Sequence, residues 1–249
     1  MILTDTHAHL YAKEFDNDRD DILKRAIASG VHRFFLPNMD STSIPGMLEL
    51  SGKFPENCFP MMGLHPCSVN LTYESELKLI GSYLERKDQK FYAIGEIGLD
   101  FYWDKQFAVQ QIAVFRSQIE LALEFKLPIV IHVRKAFKET IEITKEYTEK
   151  GLRGIFHCFS GSLEEANQII SLKQFKLGIG GVVTFKNGGL SEVVSEIPLE
   201  FIVLETDAPY LAPVPYRGKR NESSYLLLIA KKNCRIEKMF IGRGGKAND

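Results

Sequence analysis

Met1-Ile2-Leu3-Thr4-Asp5-Thr6-His7-Ala8-His9-Leu10 is the stretch on which the reading of the fold turns. The apolar run at its start predicts a short buried strand from Ile2 to Thr6. Side chains two apart on extended backbone point to the same side, so His7 and His9 place two imidazoles together where that strand ends. Such a pair can clamp a metal ion. Taken alone it is equally a polar strand end with no ligand role.

Outward from this stretch, short β-rich apolar runs recur. They predict further strands at His32 to Pro37, Cys58 to Gly63, Phe91 to Glu96, Pro128 to His132, Gly154 to His157, Phe175 to Ile179 and Phe201 to Glu205. Amphipathic segments lie between them, such as Asp18 to Ser29, Tyr73 to Arg86 and Gln106 to Phe125. In the last, Phe107, Ile112, Phe115, Ile119 and Leu123 form an approximately helical stripe. Eight β-then-α units in 249 residues predict an α/β fold of the (β/α)8 TIM-barrel type, a single domain over residues 1–231.

Catalytic groups of such barrels lie at the C-terminal strand ends. Five of the six histidines are expected there: His7 and His9 on strand one, His65 on strand three, His132 on five and His157 on six. Only His32, at the start of strand two, falls at the opposite face. Glu96 ends the predicted strand four and Asp207 follows strand eight. This placement favours a shared metal site over scattered, satisfied core histidines.

Composition narrows the function. Basic and acidic residues number 31 and 32, so no basic field points to tight binding of long duplex DNA. There is no signal-peptide pattern and no apolar run of about 18 residues, which predicts a cytoplasmic protein without membrane spans. The four cysteines, Cys58, Cys67, Cys158 and Cys234, lack Cys-x-x-Cys spacing and read as free thiols. No obligate protein partner is evident.

With these residues assembled, the sequence resembles the TatD family of metal-dependent deoxyribonucleases, a branch of the amidohydrolase-like barrels. The stretches that carry the resemblance are Asp5 to Leu10, Gly63-Leu64-His65-Pro66, Gly95-Glu96-Ile97-Gly98-Leu99-Asp100, Ile131-His132-Val133-Arg134, His157-Cys158-Phe159-Ser160-Gly161 and Glu205-Thr206-Asp207-Ala208-Pro209-Tyr210. Arg217-Gly218-Lys219-Arg220-Asn221 also fits. The resemblance implies that His7, His9 and Asp207 hold a first divalent cation, that His132 and His157 hold a second, and that Glu96 bridges the two. Four imidazoles suit zinc, whereas the family's phosphoryl chemistry is associated with magnesium or manganese, so the ion stays open.

The implied activity is hydrolysis of phosphodiester bonds in single-stranded DNA or at DNA ends, as a 3'-5' exodeoxyribonuclease, with Asp207 orienting a water and accepting its proton. His65, Arg134, Lys219 and Arg220 are the candidate substrate contacts. For Lys219 and Arg220 an ordinary solvated turn, with Asn221 capping the next helix, is an equal alternative. Phe101, Tyr102 and Trp103 offer a stacking surface or a barrel cap. Gly178, Gly180 and Gly181 read as a tight turn after strand seven. The same metals could instead polarise the carbonyl of a cyclic amide, lactone or ester, and a non-catalytic, defective copy is a third reading.

After Lys231 the helical periodicity stops. Residues 232–249 end in Gly242-Arg243-Gly244-Gly245-Lys246 and predict an irregular tail, such as a frame change or a truncated gene end produces.

Overall fold

A computed structural model describes residues 2–103, 105–186 and 188–232; of the irregular tail expected at 232–249, Lys232 instead ends the last described helix, and 233–249 lie outside the described residues. Eight strands are present: β1 Leu3–Asp5, β2 Val31–Leu36, β3 Cys58–Pro60, β4 Ile94–Asp100, β5 Ile129–Arg134, β6 Gly154–Phe156, β7 Phe175–Ile179 and β8 Ile202–Leu204. The described helices are α1 Arg19–Ala28, α2 Ile44–Lys53, α3 Tyr73–Leu84, α4 Ala108–Glu124, α5 Phe137–Thr148, α6 Leu163–Ser171, α7 Leu190–Glu196 and α8 Leu226–Lys232. Every strand pair is parallel and follows chain order, β1 to β3 in one sheet and β4 to β8 in another.

Backbone hydrogen bonds close both seams between the sheets. Met62 bridges to Ile94, with Met62 N–H donating to Ala93 O at 3.1 Å and Gly95 N–H to Met62 O at 3.0 Å. On the other side Thr6 N–H donates to Leu204 O at 3.1 Å and Asp207 N–H to His7 O at 2.9 Å. The result is the (β/α)8 barrel expected from the alternating pattern. Its core includes the fully buried Phe15, Phe34, Phe115, Phe156 and Phe175. Among the described residues no helix is long and apolar enough to cross a membrane.

Two of the expected elements differ in ways that shape the site. Strand four does not end at Glu96. It runs on to Asp100, buried throughout, with a register shift against β5 between Ile94 and Ile97 that sets Glu96 inside the barrel. At Gly98, φ is +139° and an added Cβ would lie 2.0 Å from His132 O, so only glycine permits β4 to pass β5 this closely.

The stripe of α4 is also rotated from the expected one. Its buried residues are Gln111, Val114, Phe115, Gln118, Ile119 and Ala122, while Phe107, Ile112 and Leu123 are only partly buried. Two glutamines displace apolar residues from the inner face because each pairs with both backbone groups of a core residue. Gln111 accepts from Asp100 N–H at 2.9 Å and donates to Asp100 O at 3.1 Å. Gln118 does the same with Leu64, at 2.7 and 3.1 Å. One helix thereby fixes the end of β4 and the loop carrying His65.

Candidate metal centre

The loop after β1 is stitched to the loop after β8 by a buried carboxylate. Asp5 accepts from His7 N–H at 3.3 Å, Thr206 N–H at 2.9 Å, Thr206 Oγ1 at 2.5 Å and Ser223 Oγ at 2.6 Å. Burial nevertheless raises its pKa to about 7. His9 N–H donates to Ala208 O at 2.7 Å. Between these ties Asp207 adopts φ 59°, a left-handed conformation uncommon for a residue with a side chain, and turns its carboxylate to the histidines.

Glu96 is the hub. Asn38 holds its peptide, donating N–H to Gly95 O at 3.0 Å and accepting from Glu96 N–H at 3.1 Å. Glu96 Oε2 lies 3.1 Å from His7 Nε2 and 3.7 Å from His9 Nε2. Glu96 Oε1 lies 2.8 Å from His132 Nδ1, 3.3 Å from His65 Nε2 and 3.6 Å from His157 Nε2. Asp207 Oδ1 is 3.7, 3.6 and 3.9 Å from the Nε2 atoms of His7, His9 and His157.

The chemistry of this donor set fits cations. His7 Nε2 and His9 Nε2 face each other at 3.3 Å. Neutral imidazoles satisfy that contact only as opposite tautomers, whereas a cation engages both lone pairs together with the carboxylate oxygens. Side chains whose ligand atoms fall within 4.8 Å of one another form the sets His7, His9 and Asp207; His65, Glu96 and His132; His7, His157 and Glu205; and His157, Cys158 and Asp207. Buried atoms without a hydrogen bond also gather here: His7 Nδ1 and Glu205 Oε2.

Partners on the far side of each ring decide what it presents. His132 Nε2 lies 2.9 Å from Asp100 Oδ2, and His157 Nδ1 lies 3.0 Å from Glu205 Oε1. A proton held at those carboxylates makes the opposite nitrogen, on the Glu96 side, the one that frees a lone pair when a cation displaces its proton. His65 is reversed. Its Nδ1 accepts from Cys67 N–H at 3.0 Å, so its neutral ring carries the proton on Nε2 and donates toward Glu96. His65 is therefore built as a donor rather than a ligand.

Burial lowers the pKa of His7 and His65. Burial alone would raise that of Glu96, but the imidazoles of His65, His157 and His7 hold it well below the usual carboxylate range. Burial likewise opposes ionisation of Asp207, which His157 above all keeps low. For His157 the Glu205 carboxylate, then Glu96 and Asp207, overcome burial and push it up to about 10. His132 is raised against burial by its bonds to Asp100 and Glu96, and Asp100 is brought down to about 2 by His132 in spite of its own burial. A cation held by these rings must displace their protons, so its binding tightens as pH rises.

A cavity of about 430 Å³ opens on this cluster, and its lining also includes Met39, Arg134, Ser160, Val182, Tyr210 and Leu211. Two of the four expected substrate contacts, His65 and Arg134, line it; Lys219 and Arg220 do not. Arg220 is engaged elsewhere, donating to Glu14 O at 2.7 Å and to both Asp18 carboxylate oxygens at 2.7 and 2.6 Å. Asn221 is no simple helix cap, since its amide donates to Thr206 O and Tyr210 O, both at 2.7 Å. Nor is Gly178 part of a tight turn. An added Cβ there would meet Glu205 Oε2 at 2.2 Å, so the residue makes room for the carboxylate behind His157.

Asp100, Glu205 and Asn38 were given no role by the sequence. Asp100 and Glu205 sit inside motifs already quoted, four residues after Glu96 and two before Asp207, and that proximity is the only local signal.

A parallel barrel with histidines and carboxylates converging at its C-terminal mouth is the architecture of a metal-dependent hydrolase. The chain belongs to the family described as TatD related DNase, whose model matches residues 4–242, as the motifs implied. It is 40% identical over 239 residues to the uncharacterized metal-dependent hydrolase YabD of Bacillus subtilis (strain 168), covering 96% of this chain and 92% of that one. It is 32% identical over 228 residues to the 3'-5' ssDNA/RNA exonuclease TatD of Klebsiella pneumoniae (strain 342), covering 89% of this chain and 85% of the relative. The crystal structure of YJJV, a TatD homologue from Escherichia coli K12, superposes with a TM-score of 0.86 at 28% identity, covering 94% of this chain and 90% of the other.

Proposed function

We propose that this hydrolase uses two divalent cations to cleave phosphodiester bonds, removing nucleotides from single-stranded DNA or DNA ends in the 3'-5' sense of its Klebsiella relative's name. The observation that carries this reading is Arg134 in the same cavity as the cation-accepting cluster. Among the described residues no carboxylate pairs with its guanidinium, whereas Arg25, Arg116 and Arg220 are all paired. An anionic substrate uses that charge; a neutral amide or lactone does not.

His7, His9 and Asp207 would hold one cation, His132 and His157 the other, with Glu96 offering an oxygen to each. Bound there, the cations would supply an acidified water and offset charge on the phosphate. Asp207 receives the proton of the attacking water, its ionised form favoured by His157. Asp100 and Glu205 hold the imidazoles of His132 and His157. Arg134 binds a phosphate oxygen, His65 presents its Nε2–H, and Tyr210 with Leu211 supports the sugar or base.

Protein reconstituted separately with magnesium, manganese and zinc should trim an end-labelled single-stranded oligonucleotide faster than closed circular duplex. Lactone and amide substrates run in parallel are expected to turn over poorly. Faster turnover of the lactone or amide would replace this reading with the amidohydrolase one.

A further inference from the structure

The metal cavity does not end at Arg134. A second groove of about 410 Å³ shares Val133, Arg134, Cys158 and Ser160 with it and continues past Lys135 and Phe137, within the size range of small-ligand sites. Arg134 forms the step between the two spaces. Its guanidinium carbon lies 3.7 Å from the centroid of the Tyr102 ring and 5.1 Å from that of Trp103, which holds a long side chain in place as a fixed cation.

Lys135 is brought into the same groove by a break in backbone regularity. Neighbours on a strand point to opposite sides, but β5 ends at Arg134 and Lys135 takes φ 55°, which ends the alternation. Among the described residues neither Arg134 nor Lys135 has a carboxylate within 4.0 Å, and the chain as a whole is nearly neutral. Glu165 also lines the groove, but its Oε2 accepts from Ser162 N–H at 2.7 Å in a helix-capping pair.

Resting on the phosphodiesterase reading above, we infer that this groove binds the nucleotide next to the scissile bond, with Lys135 taking that nucleotide's phosphate. Arg134 then stands between consecutive phosphates and Phe137 offers an apolar surface to the base or sugar. The substrate is a chain with at least one phosphate beyond the bond that breaks. A dinucleotide fills the metal cavity but leaves the groove without its anion.

The test compares kcat/KM on a thymidine dinucleotide, trinucleotide and pentanucleotide, and measures binding of a fluorescein-labelled pentanucleotide by anisotropy across a salt series in EDTA. Lys135→Asn removes the charge while tolerating the left-handed backbone; Lys135→Glu reverses it. In the parent, kcat/KM should rise about tenfold or more from dinucleotide to trinucleotide and little thereafter, and both variants should bring that ratio down toward one. In EDTA, Lys135→Asn should reduce the slope of log K against log salt by about 0.7, the change for one single-strand phosphate contact. A parent ratio near one, or an unchanged salt slope, overturns the groove assignment while leaving phosphodiester cleavage intact. No cleavage of any oligonucleotide with the slope still reduced overturns hydrolysis and keeps the groove as a binding site. No cleavage with an unchanged slope overturns both.

Discussion

Replacing Asp100 with alanine tests whether a residue outside the cation-facing set controls it. Asp100 is buried, and its carboxylate is fixed by Tyr102 N–H at 2.9 Å on Oδ1 and by His132 Nε2 at 2.9 Å on Oδ2. This second contact holds a proton on Nε2, so Nδ1, 2.8 Å from Glu96 Oε1, is the nitrogen that gives up its proton and offers a lone pair when a cation binds. In Asp100→Ala the ring is free to rotate or to carry its proton on Nδ1. Loss of such an outer partner costs about 10- to 100-fold in metal affinity, or about 1.4–2.8 kcal/mol.

Asp100→Asn keeps an accepting oxygen and loses the charge, so its effect belongs at the lower end. The pH dependence has a definite sign. In the parent, a cation competes with the elevated proton affinity of His132, part of which comes from Asp100. Alanine removes that part, so the affinity loss is greatest at high pH and shrinks as pH falls through the raised His132 pKa. Competition titration of the more weakly held cation against a chelating dye between pH 6 and 9 measures this, with thermal denaturation as a control for folding. Equal affinities in parent, Asp100→Asn and Asp100→Ala would refute the reasoning.

Gln118→Leu strips the partners from both backbone groups of Leu64, so stability should fall by about 2–4 kcal/mol, read from the urea midpoint at constant slope. Glu222→Gln weakens the tie to Arg25, 2.7 Å at its shortest, and should cost about 1 kcal/mol at neutral pH. Because the folded pKa of Glu222 lies below 4.5, that contribution is present above about pH 4.5 and is lost as pH falls through the lowered value, so parent and variant urea curves converge in acid. Asp207→Asn should keep the fold and at least the cation held by Glu96, His132 and His157, while single-turnover cleavage falls about 10²- to 10⁴-fold; near-parental cleavage would remove Asp207 from the proton-accepting role.

The barrel was legible because short β-rich apolar runs and amphipathic segments alternate as far as residue 231. The cluster was legible because its histidines fall beside strand ends. What escaped is set by contacts distant in sequence. Nothing local tells that Asp100 will face His132 or that Glu205 will stand behind His157, since those distances depend on how neighbouring strands register. The inner face of α4 was misread because glutamine is polar by composition, and only the backbone of Asp100 and Leu64 makes it a core residue. Arg220 looked available for phosphate until the fold brought Asp18 beside it.

The central claim is that Glu96 joins two cation positions, and metal stoichiometry tests it most directly. Elemental analysis after reconstitution and exhaustive dialysis should find two cations per parent chain and one in a His132→Asn, His157→Asn double variant that retains the parent's circular dichroism. One cation per parent chain, or two retained by the double variant, would contradict the account.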